Sequence, residues 1–367
     1  MINVEKILKL FKRKNIDFVC GVPDSVLKPF SNLIENNKDF KHLIAVNEGS
    51  AVSLGIGFHL STKKVSCIYL QNSGLGNAIN PLAAISHPKV YSIPILLLIG
   101  WRGAPGLKDE PQHIVKGLIT KKLLSLLKIK FCILKKNDDL KQLAKIINFS
   151  KKFKRPVACL VKNEILSSQN NLKKIKLKEK YFKRKLFISE LLKQIKIKTK
   201  IISTTGFTSR ELMQIRREQK LIKGKDFYMV GGMGHAAAVS LGASFKYKHQ
   251  IICLDGDGSI LMHLGSLRTV GFFGGSNFKH IILNNNAHES VGGQTTTART
   301  INFKQLAYSI GYKAFFKVDT KKQLRRKIRS FLNSKGPTLF EVCIDQGSIE
   351  NLDRPKNLKK IKNFFLR

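Results

Sequence analysis

The sequence predicts an α/β protein of two domains, each built on a doubly wound parallel sheet. Short apolar runs, such as residues 95–99 and 251–254, alternate with helical patterns and end at glycine, asparagine or acidic residues. Strands that alternate with helices form parallel sheets that are covered on both faces. The chain has 367 residues, which is enough for two domains with a core each. Because the two predicted α/β units are of similar size, one fold for both is an open alternative.

The composition is that of a globular protein. Hydrophobic residues make up 43% of the chain. The longest apolar run, residues 95–99, is far shorter than the roughly 20 residues that a membrane span needs. The first 20 residues lack the apolar core and cleavage site of a signal peptide. The six cysteines are scattered and form no CxxC, which favours buried thiols over disulfides or a zinc site. We therefore expect a cytoplasmic protein without a membrane partner.

The charge is strongly positive, at +42. Such a charge would suit nucleic acid or an anionic membrane surface. The lysines, however, are spread along the chain, and there is no zinc finger, RNA-binding signature or long basic arm. We expect no nucleic-acid partner, and a basic nucleic-acid-binding protein on a degenerate enzyme fold remains the distant alternative. A positive surface would raise the local concentration of an anionic substrate.

The first predicted strands each lead into a turn with a candidate side chain. Residues 18–20 lead to Asp24 and Ser25, either of which could simply cap the helix that carries Leu27, Phe30, Leu33 and Ile34 on one face. Residues 43–46 lead to Glu48, which precedes the small-residue helix 51–60 and is either a helix N-cap or a buried carboxyl that needs a partner. Residues 67–71 lead to a turn that contains Ser73 and Gly74.

A charged loop follows the very apolar strand 93–100. It contains the only tryptophan, and then Arg102, Lys108 and His113. Loops at strand ends carry functional side chains in α/β proteins. His113 is either an acid–base group near neutral pH or an exposed loop histidine.

A polar, lysine-rich stretch separates the two predicted domains. We place the first domain at residues 1–166, a linker at 167–184 and the second domain at 185–367. The second domain opens with helix 186–195 and strand 201–203, ends its sheet with strand 338–344, and has a basic tail, 357–367, that is a helix or a frayed end. Its turns at 204–211 and 230–235 offer backbone amides to a ring or a phosphate. The candidate residues there are Thr205, Gly206, Gly232, Met233, Gly234 and His235.

The most specific stretch runs from Asp255 to Gly293. Strand 251–254 ends in an acidic glycine turn, a helix carries Leu261, Leu264, Leu267 and Val270, and strand 280–283 ends in three asparagines. A parallel crossover returns both strand ends to one edge of the sheet, where α/β proteins bind ligands. Carboxylate, amide and carbonyl oxygens suit magnesium or calcium. We predict a divalent cation that holds a diphosphate, and the alternative is a tight turn and an unrelated loop.

A GDG segment followed by an asparagine pair, with 26 residues between Gly258 and Asn285, resembles the signature of thiamine-diphosphate enzymes. The resemblance implies that Asp257, the side chain of Asn285 and the carbonyl of Ala287 bind Mg²⁺, with Asn284 as the alternative to Asn285. It also implies that Glu48 bonds the aminopyrimidine ring. The other cofactor contacts that it implies are Ser73, Gly74, Gly256, Gly258 and Ser259.

Further segments narrow the resemblance to the two-domain decarboxylases of phosphonopyruvate and sulfopyruvate, and most closely to the former. These segments are GVPDS, LQNSGLGN, LLLIGWRG, KDEPQH, TTGFTSREL, GGMGHA and NNNAHESVGGQ. Residues 161–186 leave no room for the middle domain that most thiamine-diphosphate decarboxylases carry. The departures are Asn286, where glycine is common, and Thr295, where proline is common.

The resemblance implies decarboxylation of 3-phosphonopyruvate to phosphonoacetaldehyde and CO₂, in phosphonate biosynthesis of the 2-aminoethylphosphonate type. Sulfopyruvate or a broader range of 2-oxo acids is the alternative substrate. Candidates for proton transfer are Asp24, His113, His288 and Glu289, together with Glu48 in cofactor activation. Arg102 and Lys108 are a chemical hypothesis for phosphonate binding, because cations match its oxygens. The family also implies at least a homodimer with its active site at the subunit interface.

Overall fold

The computed structural model describes residues 1–168 and 179–367. The chain divides into two compact units. Unit 1 is Met1–Ile175 with Val291–Gln294, and unit 2 is Lys176–Ser290 with Thr295–Arg367. Across the described residues, every helix is too short or too polar to cross a membrane.

Unit 1 alternates strands and helices along the chain. Its described strands are β1 (Ile2–Asn3), β2 (Phe18–Gly21), β3 (Lys41–Ile44), β4 (Ser66–Gln71), β5 (Ile95–Gly100), β6 (Lys130–Leu134), β7 (Val157–Val161) and β8 (Leu166–Ser167). Its described helices are α1 (Val4–Arg13), α2 (Lys28–Glu35), α3 (Glu48–Thr62), α4 (Leu75–Pro81), α5 (Pro111–Leu126) and α6 (Leu140–Phe153).

The main sheet of unit 1 has six parallel strands in the order β3-β2-β4-β5-β7-β6, and β1 pairs with β8 apart from it. Successive residues of a strand face opposite sides of the sheet. Leu96 and Leu98 of β5 pack in one core, and Leu97 and Ile99 pack in the other. The central strands are apolar throughout because helices cover both faces of the sheet.

Unit 2 repeats this alternation. Its described strands are β9 (Phe182–Lys183), β10 (Lys200–Ser203), β11 (Lys225–Tyr228), β12 (Ile251–Gly256), β13 (Phe278–Asn284), β14 (Ala314–Val318) and β15 (Thr338–Asp345). Its described helices are α7 (Arg184–Gln194), α8 (Phe207–Glu218), α9 (Ala236–Ser244), α10 (Asp257–Met262), α11 (Gly265–Phe273), α12 (Phe303–Ser309), α13 (Lys321–Asn333) and α14 (Leu358–Leu366).

The parallel sheet of unit 2 has the order β11-β10-β12-β13-β15-β14, with β9 also paired to β15. Numbered from the first main strand, both sheets follow the order 2-1-3-4-6-5. The two units therefore share one topology, and the predicted pair of doubly wound parallel sheets is confirmed. In each sheet the chain reverses its direction of travel beside the first strand, and such a switch point leaves a crevice at the carboxyl ends of the strands.

The structure corrects the predicted helix after the acidic turn. Instead of one helix, α10 ends at Met262, and α11 begins at Gly265. His263 lies between them with φ −136° and ψ 55°, which is outside the helical region. Gly234 packs against this break, because a Cβ there would lie 2.5 Å from the His263 ring. The basic tail forms a helix, α14.

The predicted linker falls partly outside the described residues, which omit 169–178. In its described remainder, β8 pairs with β1, β9 pairs with β15, and Arg184 begins α7.

Candidate active site

In unit 1, Asp24 lies beside the switch point between β2 and β4. Its carboxylate accepts the backbone N–H groups of Val26 and Leu27, at 3.1 and 3.2 Å, and the side-chain amide of Gln71 at 2.6 Å. The side chain is fully buried. Burial raises the pKa of Asp24, and the hydrogen bond from Gln71 opposes this rise. The N-cap of α2 is Leu27, so the alternative that Asp24 or Ser25 caps this helix is wrong. Asp24 instead joins the ends of β2 and β4.

Glu48 is the first residue of α3, and the N-cap is its neighbour Asn47, whose side chain accepts the N–H of Ser50 at 2.8 Å. The alternative interpretation of Glu48 as the helix cap is therefore wrong. Glu48 is 4% exposed, and its Oε2 accepts the Asn77 amide at 2.8 Å. Gly74 packs against the other oxygen, since a Cβ at this position would lie 2.0 Å from Oε1. The structure thus brings together Glu48 and the turn after β4.

Ser73 lies in the same turn as Gly74. Its hydroxyl donates to Oε1 of Gln71 at 2.7 Å, so it contacts the residue that also bonds Asp24. The candidate side chains that follow β2 and β4 are linked through Gln71.

Arg102 follows β5, and its guanidinium is paired within its own loop. Nε and Nη2 donate to Asp109, the former at 2.8 Å, and Nη1 donates to Ser25 at 3.1 Å. The hydrogen bond to Asp109 raises the pKa of Arg102. Lys108 is exposed, and His113 is half-buried near the start of α5.

Trp101 is part of the core of unit 1 and does not project into the charged loop. It is 2% exposed and donates from its indole N–H to the Gly117 carbonyl at 3.0 Å. Its position near charged residues in the sequence therefore reflects packing of the loop on α5.

In unit 2, Ser259 joins the turns that follow β10 and β11. Its hydroxyl lies 2.9 Å from the Thr204 hydroxyl and accepts the backbone N–H of Gly234 at 3.1 Å. Ser209 adds bonds to the carbonyls of Thr204 and Met229, at 2.7 and 3.1 Å. These contacts hold the carboxyl ends of adjacent strands in one cluster of turns.

The predicted ring- or phosphate-binding residues occupy these turns. Gly206, Gly232 and Gly234 have φ values of +93°, +67° and +88°, which glycine adopts without strain. Thr205 and Met233 are half-buried, whereas His235 is exposed and stacks on His263 at a centroid distance of 4.4 Å.

Asp257 begins α10 at the carboxyl end of β12 and is 2% exposed. Its Oδ2 accepts the Thr296 hydroxyl at 2.5 Å. Burial raises the pKa of Asp257 to about 6, while hydrogen bonds from Thr296 and from the backbone N–H groups of Asn285 and Gly258 oppose the rise. Because the backbone of Asn285 bonds this carboxylate, the structure brings the acidic turn and the asparagine turn together.

The asparagines differ in what their side chains contact. Asn284 is 6% exposed at the end of β13, and its amide donates to Glu341 at 2.9 Å. Asn285 follows the strand; its Oδ1 accepts the Ala287 N–H at 3.1 Å, and its Nδ2 donates to Glu289 at 2.9 Å. The Oδ1 of Asn284 likewise accepts the Asn286 N–H at 3.2 Å, so both amides donate to a glutamate and accept a backbone N–H.

Ala287 lies opposite Thr295 in an antiparallel bridge. The neighbouring hydrogen bond runs from the Thr296 N–H to the Asn286 carbonyl at 3.0 Å, so it does not use the Ala287 carbonyl. A buried carboxylate, an amide oxygen and a carbonyl oxygen form the hard ligand set that Mg²⁺ takes. The residues present fit a magnesium ion.

His288 lies over the same turn, where a Cβ on Gly258 would come within 3.1 Å of its ring. Burial lowers the pKa of His288 to about 4, so its ring is neutral at pH 7. Glu289 accepts hydrogen bonds from Arg184 and from the Gly347 N–H as well as from Asn285.

Family models match both units. Residues 3–122 match the N-terminal TPP binding domain of thiamine pyrophosphate enzymes, and residues 202–342 match the C-terminal TPP binding domain. Together these matches span more than half of the chain. The chain belongs to the thiamine pyrophosphate enzyme family. The cofactor of this thiamine pyrophosphate enzyme is thiamine diphosphate.

Curated relatives match nearly the full length of this thiamine pyrophosphate enzyme. A phosphonopyruvate decarboxylase of Streptomyces viridochromogenes is 33% identical, over 92% of this chain and 87% of the relative. One of Streptomyces hygroscopicus is 32% identical, over 97% and 91%. A sulfopyruvate decarboxylase of Methanosarcina acetivorans is 25% identical, over 94% and 92%.

The sequence missed several side chains that hold the candidate residues of this thiamine pyrophosphate enzyme in place. They are Gln71, Asn77, Thr296 and Arg184. Asn77 lies within a segment that carries the family resemblance, so its signal was present but unassigned. Arg184 lies 105 residues from Glu289 along the chain, and Thr296 lies 39 residues from Asp257. Only the fold brings these side chains to their partners.

Proposed function

We propose that this enzyme catalyses the thiamine-diphosphate- and Mg²⁺-dependent decarboxylation of 3-phosphonopyruvate to phosphonoacetaldehyde and CO₂. The observation that carries the proposal is the match to two phosphonopyruvate decarboxylases over 92% and 97% of the chain. When bound, thiamine diphosphate supplies an electron sink for the electrons that departing CO₂ leaves behind.

Asp257, Asn285 and the Ala287 carbonyl are the proposed Mg²⁺ ligands. Two observations support this assignment. The backbone N–H of Asn285 donates to the Asp257 carboxylate, and all the proposed ligand atoms are oxygens. A cation there would favour the ionised form of Asp257, which burial alone disfavours. The turns with Thr205, Gly206, Gly232, Met233, Gly234 and His235, and the α10 start at Gly256, Gly258 and Ser259, are the proposed cofactor contacts.

Glu48 is the proposed partner of the aminopyrimidine ring. Its burial at 4% exposure, the anchor from Asn77 at 2.8 Å and the tight packing on Gly74 support a carboxylate with a single orientation. Fixing a catalytic carboxylate in advance removes part of the entropic cost of reaction.

Asp24 is a proposed proton donor. Its buried carboxyl has a raised pKa, so it retains a proton closer to neutral pH than an exposed aspartate does. His113, near the start of α5, and the neutral His288, beside Gly258, remain proposed proton-transfer groups.

Arg102 and Lys108 are the proposed ligands of the phosphonate. The bidentate pair with Asp109 fixes the plane of the Arg102 guanidinium, and the exposed Lys108 lies in the same loop. Both cations can donate hydrogen bonds to phosphonate oxygens, although Arg102 already shares its charge with Asp109.

The proposed assembly is at least a homodimer in the cytoplasm, with the active site at the subunit interface. An open groove of about 860 Å³ supports it, since it lies between α3 and α4 beside Glu48 and is lined by Gly49, Ser50, Ser53 and Asn77 among others. Small side chains on a helix allow another surface to approach closely. The expected pathway is phosphonate biosynthesis of the 2-aminoethylphosphonate type.

The experiment measures CO₂ release from phosphonopyruvate, sulfopyruvate and pyruvate, with and without thiamine diphosphate and Mg²⁺. Cofactor-dependent turnover of phosphonopyruvate far above the other acids is the expected result. A preference for sulfopyruvate, the substrate named for the relative that is 25% identical over 94% of the chain, would replace the substrate and keep the chemistry. Absence of turnover with all three acids would refute the proposal.

A further inference from the structure

Glu289 is held by hydrogen-bond donors on both carboxylate oxygens. Oε2 accepts Arg184 Nη2 at 2.7 Å and Asn285 Nδ2 at 2.9 Å, and Oε1 accepts the Gly347 N–H. The side chain is 14% exposed. A general acid or base must be able to reach the reacting group. These contacts instead direct the carboxylate at donors of the protein itself, two side chains and one backbone N–H.

The contact with Glu289 determines which way the Asn285 amide points. Nδ2 faces a carboxylate, which accepts hydrogen bonds, and Oδ1 faces the Ala287 N–H, which can only donate. The flipped amide would place oxygen against carboxylate and NH₂ against N–H. Only one orientation therefore satisfies both neighbours, and Oδ1 keeps a second lone pair for a cation.

Arg184 fixes Glu289 in turn from the interior of unit 2. It is 4% exposed at the start of α7, and its Nη1 donates to Glu211 of α8 at 2.9 Å. Glu211 is 1% exposed and accepts the Ile349 N–H at 3.3 Å. Buried ion pairs recover little stability beyond their desolvation cost, so their main contribution is often geometric.

We propose that Arg184 and Glu289 are positioning residues for the metal, and that they orient the Asn285 amide so that Oδ1 faces Mg²⁺. The inference rests on the proposed role of Asn285 as a Mg²⁺ ligand. Glu289 is then a residue that orients a metal ligand, and it is no longer a candidate for proton transfer. Outer partners of this kind fix the orientation of a ligand and tune its affinity for the ion.

The test compares Glu289→Gln with the wild-type enzyme and with Glu218→Gln, an exposed carboxylate at the end of α8. Glutamine has nearly the same volume, but it has a single acceptor oxygen where Glu289 meets three donors. Equilibrium dialysis measures thiamine diphosphate bound as Mg²⁺ is varied, and CO₂ release measures kcat at saturating Mg²⁺. For Glu289→Gln we expect the Mg²⁺ half-saturation to rise about tenfold while kcat changes little, and for Glu218→Gln we expect wild-type values.

An unchanged Mg²⁺ half-saturation with a large loss of kcat would overturn the inference and return Glu289 to proton transfer. Binding of thiamine diphosphate that needs no divalent cation in the wild type would overturn it as well. If Glu289→Gln does not fold, Arg184→Lys decides by the same titration, because lysine keeps the charge but cannot bridge two carboxylates with a planar fork. The two proposals can fail separately. If the wild-type protein binds the cofactor with Mg²⁺ but does not decarboxylate phosphonopyruvate, only the proposed substrate is refuted. Equilibrium dialysis then still decides the role of Glu289.

Discussion

Asn286 shows how a single departure from a family pattern is accommodated. The family commonly has glycine here, and the structure gives Asn286 a φ of +54°, in the left-handed region. Asparagine tolerates this region better than other residues with a side chain. The turn between Asn285 and Ala287 can therefore keep its shape, and this departure does not displace the proposed metal ligands.

At Glu48, we expect glutamine to abolish turnover without unfolding the protein. The amide keeps the size of the side chain and can still contact Asn77, but it cannot act as a carboxylate toward the cofactor. We expect kcat to fall by about a hundredfold or more. Steady-state CO₂ release checks the rate, and thermal unfolding checks the fold. Activity near the wild-type level would remove Glu48 from the cofactor assignment.

At Asp257, we expect alanine to abolish turnover by a different route. The substitution removes a proposed metal ligand and leaves the Thr296 hydroxyl without this acceptor. Mg²⁺-dependent binding of thiamine diphosphate should weaken by about a hundredfold or more. Calorimetric titration of the cofactor measures this directly, and normal binding would contradict the assignment.

His42 predicts a pH dependence of stability that is independent of catalysis. It bonds the Tyr69 hydroxyl at 2.9 Å, and burial lowers its pKa from 6.5 to about 4. Because the unfolded chain takes up a proton at higher pH than the folded chain, the contribution is complete above pH 6.5 and is lost as the pH falls toward 4. We expect His42→Gln to lessen the acid-induced loss of stability by on the order of 1–3 kcal/mol.

Urea unfolding at pH 7 and pH 5 measures this difference between the wild type and His42→Gln. The matched control is His249→Gln, which changes an exposed histidine. An equal loss of stability in all three proteins would show that His42 is not the responsible group.

Among the elements, α4 offers a matched pair of glycines near Glu48. A Cβ on Gly74, just before the helix, would lie 2.0 Å from the Glu48 carboxylate, whereas one on Gly76 meets nothing within 4 Å. Gly74→Ala must therefore displace Glu48, and Gly76→Ala need not. We expect kcat/KM to fall by about a hundredfold in the first variant and to stay unchanged in the second. Equal effects of the two substitutions would contradict the packing argument.

The pairing of β12 with β13 brings three buried side chains into a cluster that the sequence did not reveal. Cys253 lies opposite His280, and with Asp255 their ligand atoms lie within 4.8 Å of one another. Nε2 of His280 lies 3.7 Å from Asp255 Oδ2, and its Nδ1 lies 2.7 Å from the Tyr312 hydroxyl. The cysteine spacing favoured buried thiols over disulfides or a zinc site. It did not reveal this cluster, because strand register brings together residues that are far apart along the chain.

At the scale of the whole molecule, mixed subunits test where the active site lies. If Glu48 of one chain serves the metal site of another, a dimer of Glu48→Gln and Asp257→Ala chains has one intact site and one doubly impaired site. Random mixing should then restore about a quarter of wild-type activity from two inactive variants. Co-expression with two affinity tags and CO₂ release measures this. Mixed dimers without activity would place both residues in a site within one chain.

The sequence by itself determined the fold class and most of the candidate residues. Apolar runs that alternate with helices specify parallel sheets, because only covered sheets bury both faces. The GDG turn and the asparagines could be proposed as a metal site because cation and diphosphate chemistry restricts residue types over a short span. The predicted ends of strands were less accurate. The apolar run 280–283 predicted a strand of that length, whereas β13 begins at Phe278 and ends at Asn284.

Only the tertiary structure decided which side chains hold these residues in place. It placed the Asn284 and Asn285 amides against Glu341 and Glu289, identified Asn47 as the helix cap, and broke the predicted helix at His263. Arg184 reaches Glu289 across a separation of 105 residues. No local pattern records such a pair, because hydrogen bonds depend on distance in space, and that distance exists only after the strands and helices have packed.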